Sequence, residues 1–330
     1  MMHVLSAALL YVCVTDERTD LKKSLVYFLC GLSVPILIGW EQVLSGSSPD
    51  SSVLGMAAKD AGTAGVAVVE TVSGRLMRAY GTFPHPNIFG GYVAFGFIGL
   101  AWLARFVRTR VQLAGALLGS VLLAGTLLVT FSRSAWLGLL IAFLLLVGVM
   151  YLQKKTPSRK GFSIILLGGL TFLSTLLLFH TQVFSRFNPS ERLEIISIQE
   201  RASQYQTFGQ VFEASPLLGV GPGAYTFMLE HLNPDQPVWF YQPIHNTFLL
   251  ILGELGVVGF IFLFYLIFSL NPIANADVKS AGGVFAMMGG ILFFEIALFD
   301  HYLWSLWPGL ALIALGSGCI AHWMFTKDIA

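Results

Sequence analysis

Charged residues are scarce in this sequence, whereas hydrophobic residues are abundant. Only 11% of its 330 residues are charged, 55% are hydrophobic, and the mean hydropathy is +0.74. Since a soluble domain carries about a quarter charged residues, this composition excludes a soluble globular protein. The formal net charge of +1 by itself says nothing about partners. We expect membrane lipids and no nucleic acid among them.

Cysteine is also rare and is not arranged for chemistry. Cys13, Cys30 and Cys319 lie in apolar stretches without metal-ligand spacing, so neither a disulfide framework nor a thiolate metal site is predicted. The apolar stretch from His3 to Val14 lacks the basic residues and cleavage site of a signal peptide and is too short to span a bilayer. We expect the chain to be the C-terminal part of a longer membrane protein, or to begin at an internal start.

Long apolar runs occupy most of the remaining sequence. Because only helices or closed barrels satisfy backbone groups in lipid, and these runs are continuous rather than alternating, they predict an all-α, polytopic transmembrane helical bundle. We expect one membrane domain over residues 1–330. About eight spans are predicted besides the partial N-terminal one, at 24–44, 88–106, 111–131, 135–152, 161–180, 246–270, 281–299 and 308–325.

Basic residues predict the orientation of the spans, because cytoplasmic loops are rich in lysine and arginine. Every second loop is basic, so these loops are assigned to the cytoplasm and the others to the opposite face. The longest extracytoplasmic loop, residues 181–245, is expected to be partly helical. The basic residues used are Lys22, Lys23, Arg105, Arg108, Arg110, Lys154, Lys155, Arg159, Lys160, Lys279 and Lys327.

The loop before the second full span carries two arginines, Arg75 and Arg78, and leads into Pro86-Asn87. Prolines on both sides of His85 hold the chain extended at the entry to the span. Two interpretations stay open. The segment is either a rigid helix entry with exposed arginines, or a wall of a substrate site.

Arg133 stands in a tight turn between two spans on the predicted extracytoplasmic side. An arginine there costs several kcal/mol unless it reaches water or finds an anion. It is either an interfacial helix cap or a phosphate ligand. The planar guanidinium, whose donors match phosphate oxygens, favours the second interpretation.

The long loop is predicted to contain an amphipathic helix from Ser190 to Phe212, with Ser190 as its N-cap. Arg201 lies on or beside the apolar stripe, a position that a solvated arginine would not require. The glycine-rich stretch 219–223 is interpreted as a backbone turn. The predicted stripe comprises Leu193, Ile196, Tyr205, Phe208 and Phe212.

His245 opens the sixth span, and Glu254 lies about two and a half turns deeper. The histidine is either a polar anchor at the interface or a titratable base that shares one membrane face with Arg133 and Arg201. A carboxylate at the depth of Glu254 needs a partner. It either orients a histidine or arginine, or it belongs to a structural ion pair.

The last outward loop contains Asp300, His301 and Tyr302, followed by tryptophans. Aromatic residues are typical of the membrane interface. An aromatic belt does not account for the aspartate and the histidine. This loop therefore either anchors the bundle at the interface or joins the same cavity as His245.

Taken in order, these residues resemble the O-antigen ligase superfamily, which includes O-antigen ligases, O-antigen polymerases and some pilin O-oligosaccharyltransferases. The resemblance extends from about residue 75 to residue 308. It is carried by Pro86-Asn87, Ser132-Arg133-Ser134-Ala135, Arg201 before Pro216-Leu217-Leu218-Gly219-Val220-Gly221, His245-Asn246 with Glu254 and Gly256, and Asp300-His301-Tyr302.

The resemblance implies a GT-C-like fold and a glycosyltransferase that needs no metal and no other cofactor. The implied donor is a glycan on undecaprenyl diphosphate at the periplasmic face of the bacterial inner membrane, and a ligase transfers it to a lipid A core sugar. Members usually have about twelve spans, in agreement with a longer protein. Arg133, Arg201 and His245 match the essential arginines and histidine. The expected substrate-binding residues are Arg75, Arg78, Asn87, Glu254, Asp300, His301 and Tyr302.

The chemistry of the residues agrees with this implication. Fixed guanidinium groups stabilise the charge that builds on a departing diphosphate, and the chain contains no Asp-x-Asp pair for a divalent cation. His245 can accept the proton of an acceptor hydroxyl. Direct attack on the anomeric carbon would invert its configuration.

Three alternatives remain. An O-antigen or exopolysaccharide polymerase would use the same donor with another glycan as acceptor. A transporter or flippase of lipid-linked polysaccharide would place charged or broken helices near the midplane, whereas the polar residues here cluster at one surface. A structural membrane subunit would leave the outward arginines unexplained.

Overall fold

The computed structural model describes residues 2–72, 74–155, 158–270 and 280–325. Within these ranges seven helical segments are long and apolar enough to cross a membrane. The predicted all-α, polytopic class is therefore confirmed. The segments are Leu21–Ser45, Pro86–Phe106, Arg110–Val129, Arg133–Leu152, Arg159–Leu178, Thr247–Ser269 and Gly282–Phe299.

The α-helices follow the predicted spans closely, and each predicted span lies on one of them or, for the first, on two. The eighth predicted span forms the last helix. In chain order they are α1 (Met2–Thr15), α2 (Leu21–Gly31), α3 (Ser33–Ser45), α4 (Pro86–Leu103), α5 (Arg110–Val129), α6 (Arg133–Leu152), α7 (Arg159–Leu178), α8 (His180–Ser185), α9 (Arg192–Ala214), α10 (Tyr225–Leu232), α11 (Thr247–Leu270), α12 (Ala281–Phe299), α13 (Tyr302–Ser305) and α14 (Trp307–Phe325).

Helix α4 lies at the centre of the bundle, in contact with α2, α5, α6, α12 and α14. Its glycines permit close approach: a β-carbon at Gly91 would lie 2.3 Å from the hydroxyl oxygen of Tyr302. The helix begins at Pro86, and the imidazole of His85 caps it by accepting a hydrogen bond from the backbone N–H of Asn87 at 3.1 Å. The start of α4 is therefore held by its cap at His85 and by close packing against Tyr302.

Two β-hairpins fold over one end of the bundle between α3 and α4. Strands β1 (Ser47–Ser48) and β2 (Lys59–Asp60) form the first, and β3 (Val68–Thr71) and β4 (Gly74–Met77) form the second. The second hairpin is tied to the bundle, because Ser185 donates to the backbone carbonyl of Glu70 and the chain after β4 hydrogen-bonds to the end of α5.

The apolar N-terminal stretch forms α1, which packs along α14. The ring of His3 stacks on Trp307 with centroids 5.7 Å apart, and Val14 contacts Gly318 further along. The two helices therefore run parallel. Lys279 and Lys327, which contributed to the predicted orientation, lie outside the described residues.

Helix α11 is broken at Gly256, where φ is 63° and ψ is −177°. Such a break leaves backbone groups of a span without helical partners. Segment 216–221, which begins with a turn, satisfies them by lying across the break. Four backbone N–H···O hydrogen bonds join this segment to α11. They run from Val220 to Gly253, Gly221 to Glu254, Val257 to Pro216 and Val258 to Leu217, at 3.1, 2.9, 2.9 and 3.1 Å.

The contact between the segment and the break leaves no space for side chains. A β-carbon at Gly219 would lie 2.3 Å from the carbonyl oxygen of Glu254, and one at Gly256 would lie 2.4 Å from the carbonyl of Leu217. At 1.5 Å per residue, Gly256 lies about 14 Å along α11 from Thr247. The glycine-rich stretch is thus more than the predicted turn, because it enters the membrane-spanning part of the bundle.

Helix α9 confirms the helix predicted in the long loop, but its predicted N-cap is wrong, and the predicted stripe is buried only in part: Phe208 packs against a hydrophobic cluster. The helix begins at Arg192, and Glu191 rather than Ser190 precedes it. Of the predicted stripe, Tyr205 is 54% exposed and Ile196 is 36% exposed. The helix covers a polar site and therefore turns a mainly polar face inward. The buried residues are Glu194, Gln204, Thr207 and Val211.

Candidate active site at one end of the bundle

Polar side chains converge at the end of the bundle where α4, α6 and α11 begin and where α5 and α12 end. Helix α9 lies against α11 here, and α13 follows directly after α12. Among the helix ends that meet here, only those at the α5–α6 and α12–α13 turns are adjacent in the sequence. The fold therefore assembles one site from residues that are up to about two hundred positions apart.

Asp300 is the centre of this polar group and is 5% exposed. Its carboxylate accepts hydrogen bonds from the side-chain amide of Asn87 and from the backbone N–H of His301, both at 2.8 Å. Burial opposes its ionisation, but the Asn87 hydrogen bond, together with His301, His245 and His85 when these rings are protonated, holds the pKa of Asp300 below its ordinary value. Asp300 is therefore an anion that fixes the surrounding groups.

Arg78 supports the site from beneath rather than facing a substrate. It is 5% exposed, and its guanidinium donates to the backbone carbonyl of Thr130 at 2.8 Å and to the side-chain oxygen of Asn87 at 2.6 Å. Burial, with repulsion from Arg186, lowers the pKa of Arg78 to about 9. Arg78 therefore orients Asn87, which in turn holds Asp300, and its role in binding substrate stays a prediction.

His85 was not among the predicted site residues, yet it borders the same group. Burial and the nearby Arg78 lower the pKa of His85 to about 3, so it is neutral at physiological pH. As the cap of α4, its Nδ1 accepts a hydrogen bond from the backbone N–H of Asn87. The flanking prolines were the sequence signal for this position, but they indicated an extended entry to the span and not a site.

His245 stands just before α11, beside His301. The two rings meet edge to face with centroids 5.2 Å apart, and Nδ1 of His301 lies 2.6 Å from the hydroxyl of Ser305. The side-chain oxygen of Gln204 lies 3.1 Å from the backbone nitrogen of His245 and 2.9 Å from its Nδ1. Burial lowers the pKa of His245, and Asp300 partly offsets this effect. The imidazole is therefore neutral at pH 7 and capable of accepting a proton.

Arg133 belongs to a cationic cluster that sequence reasoning described only in part. Its Nη1 lies 2.8 Å from Oε2 of Glu194 and donates to the backbone carbonyl of Arg186 at 2.7 Å. The guanidinium of Arg186 pairs with the other carboxylate oxygen of Glu194. Glu194 is a functional candidate that the sequence did not single out, since its pairing with Arg133 and Arg186 forms only in the fold.

Arg201 lies on α9 beside this cluster. Within the described residues its guanidinium makes no hydrogen bond or ion pair, although the side chain is largely buried. Burial and repulsion from Arg133 lower the pKa of Arg201, whereas Asp300 and Glu194 raise it. A buried cation without a direct counter-ion makes a strong binding site for an anion.

Arg75 is not brought into this group. Its Nε lies 3.3 Å from a carboxylate oxygen of Glu70 on the facing strand. The same carboxylate accepts hydrogen bonds from Arg192 at the start of α9, at 2.6 and 3.2 Å. Arg75 therefore helps to fasten the hairpin to α9, and none of its contacts within the described ranges reaches His245 or Asp300.

Glu254 and Tyr302 pack the wall behind the site. Neither of the partners expected for Glu254 is found, because its carboxylate accepts a hydrogen bond from the indole N–H of Trp304 at 2.7 Å. Tyr302 is 2% exposed, and burial raises the pKa of its phenol well above the ordinary value. Glu254 thereby joins α11 to α13, and Tyr302 packs α13 against Gly91 of α4. Their expected role in binding substrate stays a prediction.

The arrangement defines a polytopic membrane protein with a neutral histidine and a cluster of arginines at one end of its bundle. Among the residues that the structure describes, no three His, Cys, Asp or Glu side chains are grouped as metal ligands. The chemistry available to these side chains is proton transfer together with stabilisation of an anion.

Residues 118–264 match the family model described as O-antigen ligase. The match runs from within α5 to within α11 and confirms the resemblance to the O-antigen ligase superfamily. It includes Arg133, Arg201 and His245, whereas Asn87 and Asp300 lie outside it. No curated protein matches the chain. The family match supports the coarse assignment to the glycosyltransferase-type superfamily of O-antigen ligases and polymerases.

Proposed function

We propose that the chain is a metal-independent glycosyltransferase at the periplasmic face of the bacterial inner membrane. It moves a glycan from undecaprenyl diphosphate to an acceptor, and we assign it as an O-antigen ligase whose acceptor is a lipid A core sugar. One observation carries this proposal: a neutral histidine, His245, shares the site with Arg201, a half-buried arginine without a direct counter-ion among the described residues. These are a base and an anion ligand.

In this proposal the arginines bind the donor diphosphate. Arg201 has its guanidinium available, and Arg133 is bridged by Glu194 to Arg186. As the bond between the anomeric carbon and the phosphate oxygen breaks, its electron pair passes to the diphosphate. Fixed guanidinium groups stabilise that charge without reorganisation during the reaction. The role of a divalent cation is thereby supplied by side chains.

His245 removes the proton of the acceptor hydroxyl as its oxygen attacks the anomeric carbon. The new glycosidic bond forms as the bond to the diphosphate breaks, and the configuration of the carbon is inverted. The buried Asp300 carboxylate raises the pKa of His245 against the effect of burial, and it thereby stabilises the imidazolium that forms. The proton on His245 is then released to solvent or to the departing phosphate.

The second candidate is a polymerase of the same superfamily, which the family match favours equally. One observation favours a transporter: α11 is broken within the membrane, and broken helices are typical of transporters. However, the backbone of residues 216–221 fills this break. The break is therefore accounted for by structure and supplies no substrate site.

Reconstitution distinguishes these functions. Purified protein in liposomes receives an undecaprenyl diphosphate-linked oligosaccharide, with lipid A core and a second lipid-linked glycan as rival acceptors, and products are identified by mass spectrometry. We expect transfer to the lipid A core, lost in His245→Ala. Elongation of the lipid-linked glycan would instead identify a polymerase. Folded protein that forms no covalent product but moves the donor across the bilayer would identify a transporter.

The rate of transfer is expected to depend on pH through His245. Because burial lowers the pKa of His245, the base is active at pH 7 and is lost only as the pH falls through a value below 6.5. Single-turnover rates measured from pH 4.5 to 8.5 should therefore show an acid limb below 6.5. An acid limb above that value would contradict the proposed environment of the histidine.

A further inference from the structure

We infer that Gln204 is a positioning residue that fixes His245 in the tautomer required of a base. The inference rests on the proposed function for its kinetic consequence, but the tautomer itself is a property of the two side chains. Neither the sequence motifs nor the family match assigns a role to this glutamine.

The hydrogen bonds to Gln204 determine which ring nitrogen of His245 carries the proton. The backbone N–H of His245 is a donor only, so the Gln204 atom 3.1 Å away must be the amide oxygen, Oε1. The same oxygen lies 2.9 Å from Nδ1. Since an amide oxygen only accepts hydrogen bonds, Nδ1 must carry a hydrogen. In the neutral ring, Nε2 then has its lone pair available for the acceptor proton.

The position of Gln204 on α9 holds its side chain against His245. The side chain lies three residues after Arg201, so both project from the same face of the helix, and the glutamine is 9% exposed. One rigid helix therefore presents the diphosphate ligand and the partner of the base. This arrangement sets the distance between the leaving group and the proton acceptor.

An amide also suits the charge of the site better than a carboxylate would. A carboxylate at position 204 would fix the same tautomer, but it would place a negative charge beside Arg201, where it would compete with the diphosphate. The neutral amide orients His245 and leaves the positive potential of the arginines to the substrate. The charged and titratable groups that also act on His245 are Asp300, His301, Arg201, Glu200 and His85.

Substitution of Gln204 tests the inference kinetically. In Gln204→Leu we expect kcat to fall about 10- to 100-fold at every pH, the size of effect seen when a partner that orients a metal-bound histidine is removed, with the KM for the donor unchanged. Gln204→Glu should retain the orientation and move the acid limb of the rate to higher pH, since a carboxylate stabilises the imidazolium. Gln206→Leu, an exposed glutamine on the same helix, is the matched control and should behave as wild type.

A structural role alone would give a different pattern. Gln204→Leu and Gln204→Glu would then both lower the amount of folded protein and would leave the acid limb where it is. Two results would overturn the inference. One is a folded Gln204→Glu protein with the wild-type rate and the acid limb at the wild-type pH. The other is a folded Gln204→Leu protein with an unchanged kcat.

Nitrogen NMR measures the tautomer without any activity. The full chain, labelled with ¹⁵N-histidine and placed in lipid nanodiscs, contains seven histidines, and His245→Gln identifies the signals of His245. At pH 8 we expect Nδ1 of His245 protonated and Nε2 unprotonated, with both forms populated in Gln204→Leu. A protonated Nε2 in the wild type would refute the inference. The expected spectrum from protein that transfers no glycan would support it and refute the proposed function instead.

Discussion

Replacing Gly256 with alanine is expected to abolish the accumulation of folded protein. The residue has a φ of 63° and a ψ of −177°, a region that only glycine adopts readily and that costs on the order of 1–3 kcal/mol otherwise. The added methyl group would also lie 2.4 Å from the carbonyl of Leu217. It would therefore expel segment 216–221 from the break and leave four backbone hydrogen bonds of the bundle unmade. Each unpaired backbone group at that depth costs several kcal/mol.

Size-exclusion chromatography of a fluorescent fusion in mild detergent, followed by thermal unfolding, measures this effect. Gly290→Ala is the matched control, because Gly290 lies within α12 and a β-carbon there meets nothing within 4 Å. The control should elute and unfold as the wild type does. A monodisperse Gly256→Ala protein with an unchanged unfolding temperature would show that the break in α11 does not need its glycine.

Replacing Arg201 with alanine is expected to lower the rate of glycan transfer by about 10²–10³-fold, the usual effect of removing one fixed donor that stabilises charge in a transition state. The protein should remain folded, because the guanidinium makes no hydrogen bond or ion pair within the described ranges. Removing a buried cation without a direct partner also relieves its repulsion with Arg133. We therefore expect an unfolding temperature equal to or above that of the wild type.

The control for this experiment is Arg192→Ala, which removes a cation from the same helix. Arg192 is 66% exposed at its side chain and pairs with Glu70 instead of facing the site. Its loss should change the rate little, as expected for an exposed ion pair. If Arg201→Ala transferred glycan at the wild-type rate while remaining folded, Arg201 could not be the diphosphate ligand.

The spans could be predicted from sequence because their signal is local. A continuous apolar run of about twenty residues has few alternatives to a transmembrane helix, and helices α4 to α7 agree with the predicted runs within a few residues. Arg133 and His245 could be named as candidates for the same reason. Each is a polar residue beside an apolar run, in a position that demands an explanation.

The contacts within the site could not be predicted, since they join residues that are far apart in the chain. Asn87 and Asp300 are hydrogen-bonded across 213 positions, and the pair of Arg133 with Glu194 forms only when α9 docks. The buried face of α9 was misjudged for a physical reason. An apolar stripe faces the core of a soluble protein, whereas a helix over a polar site at a membrane surface turns its polar face inward and leaves Tyr205 exposed.

The hydrogen bonds between segment 216–221 and the break in α11 have a consequence for biosynthesis. The segment precedes α11 in the chain, so it has already left the ribosome when α11 enters the lipid. Until the two meet, the carbonyls and N–H groups around Gly256 would face hydrocarbon unpaired, which is strongly unfavourable. We therefore expect α11 to be inserted into the membrane together with the segment before it. The end of the long loop would then be an insertion partner of α11 that stays hydrogen-bonded to it in the folded protein.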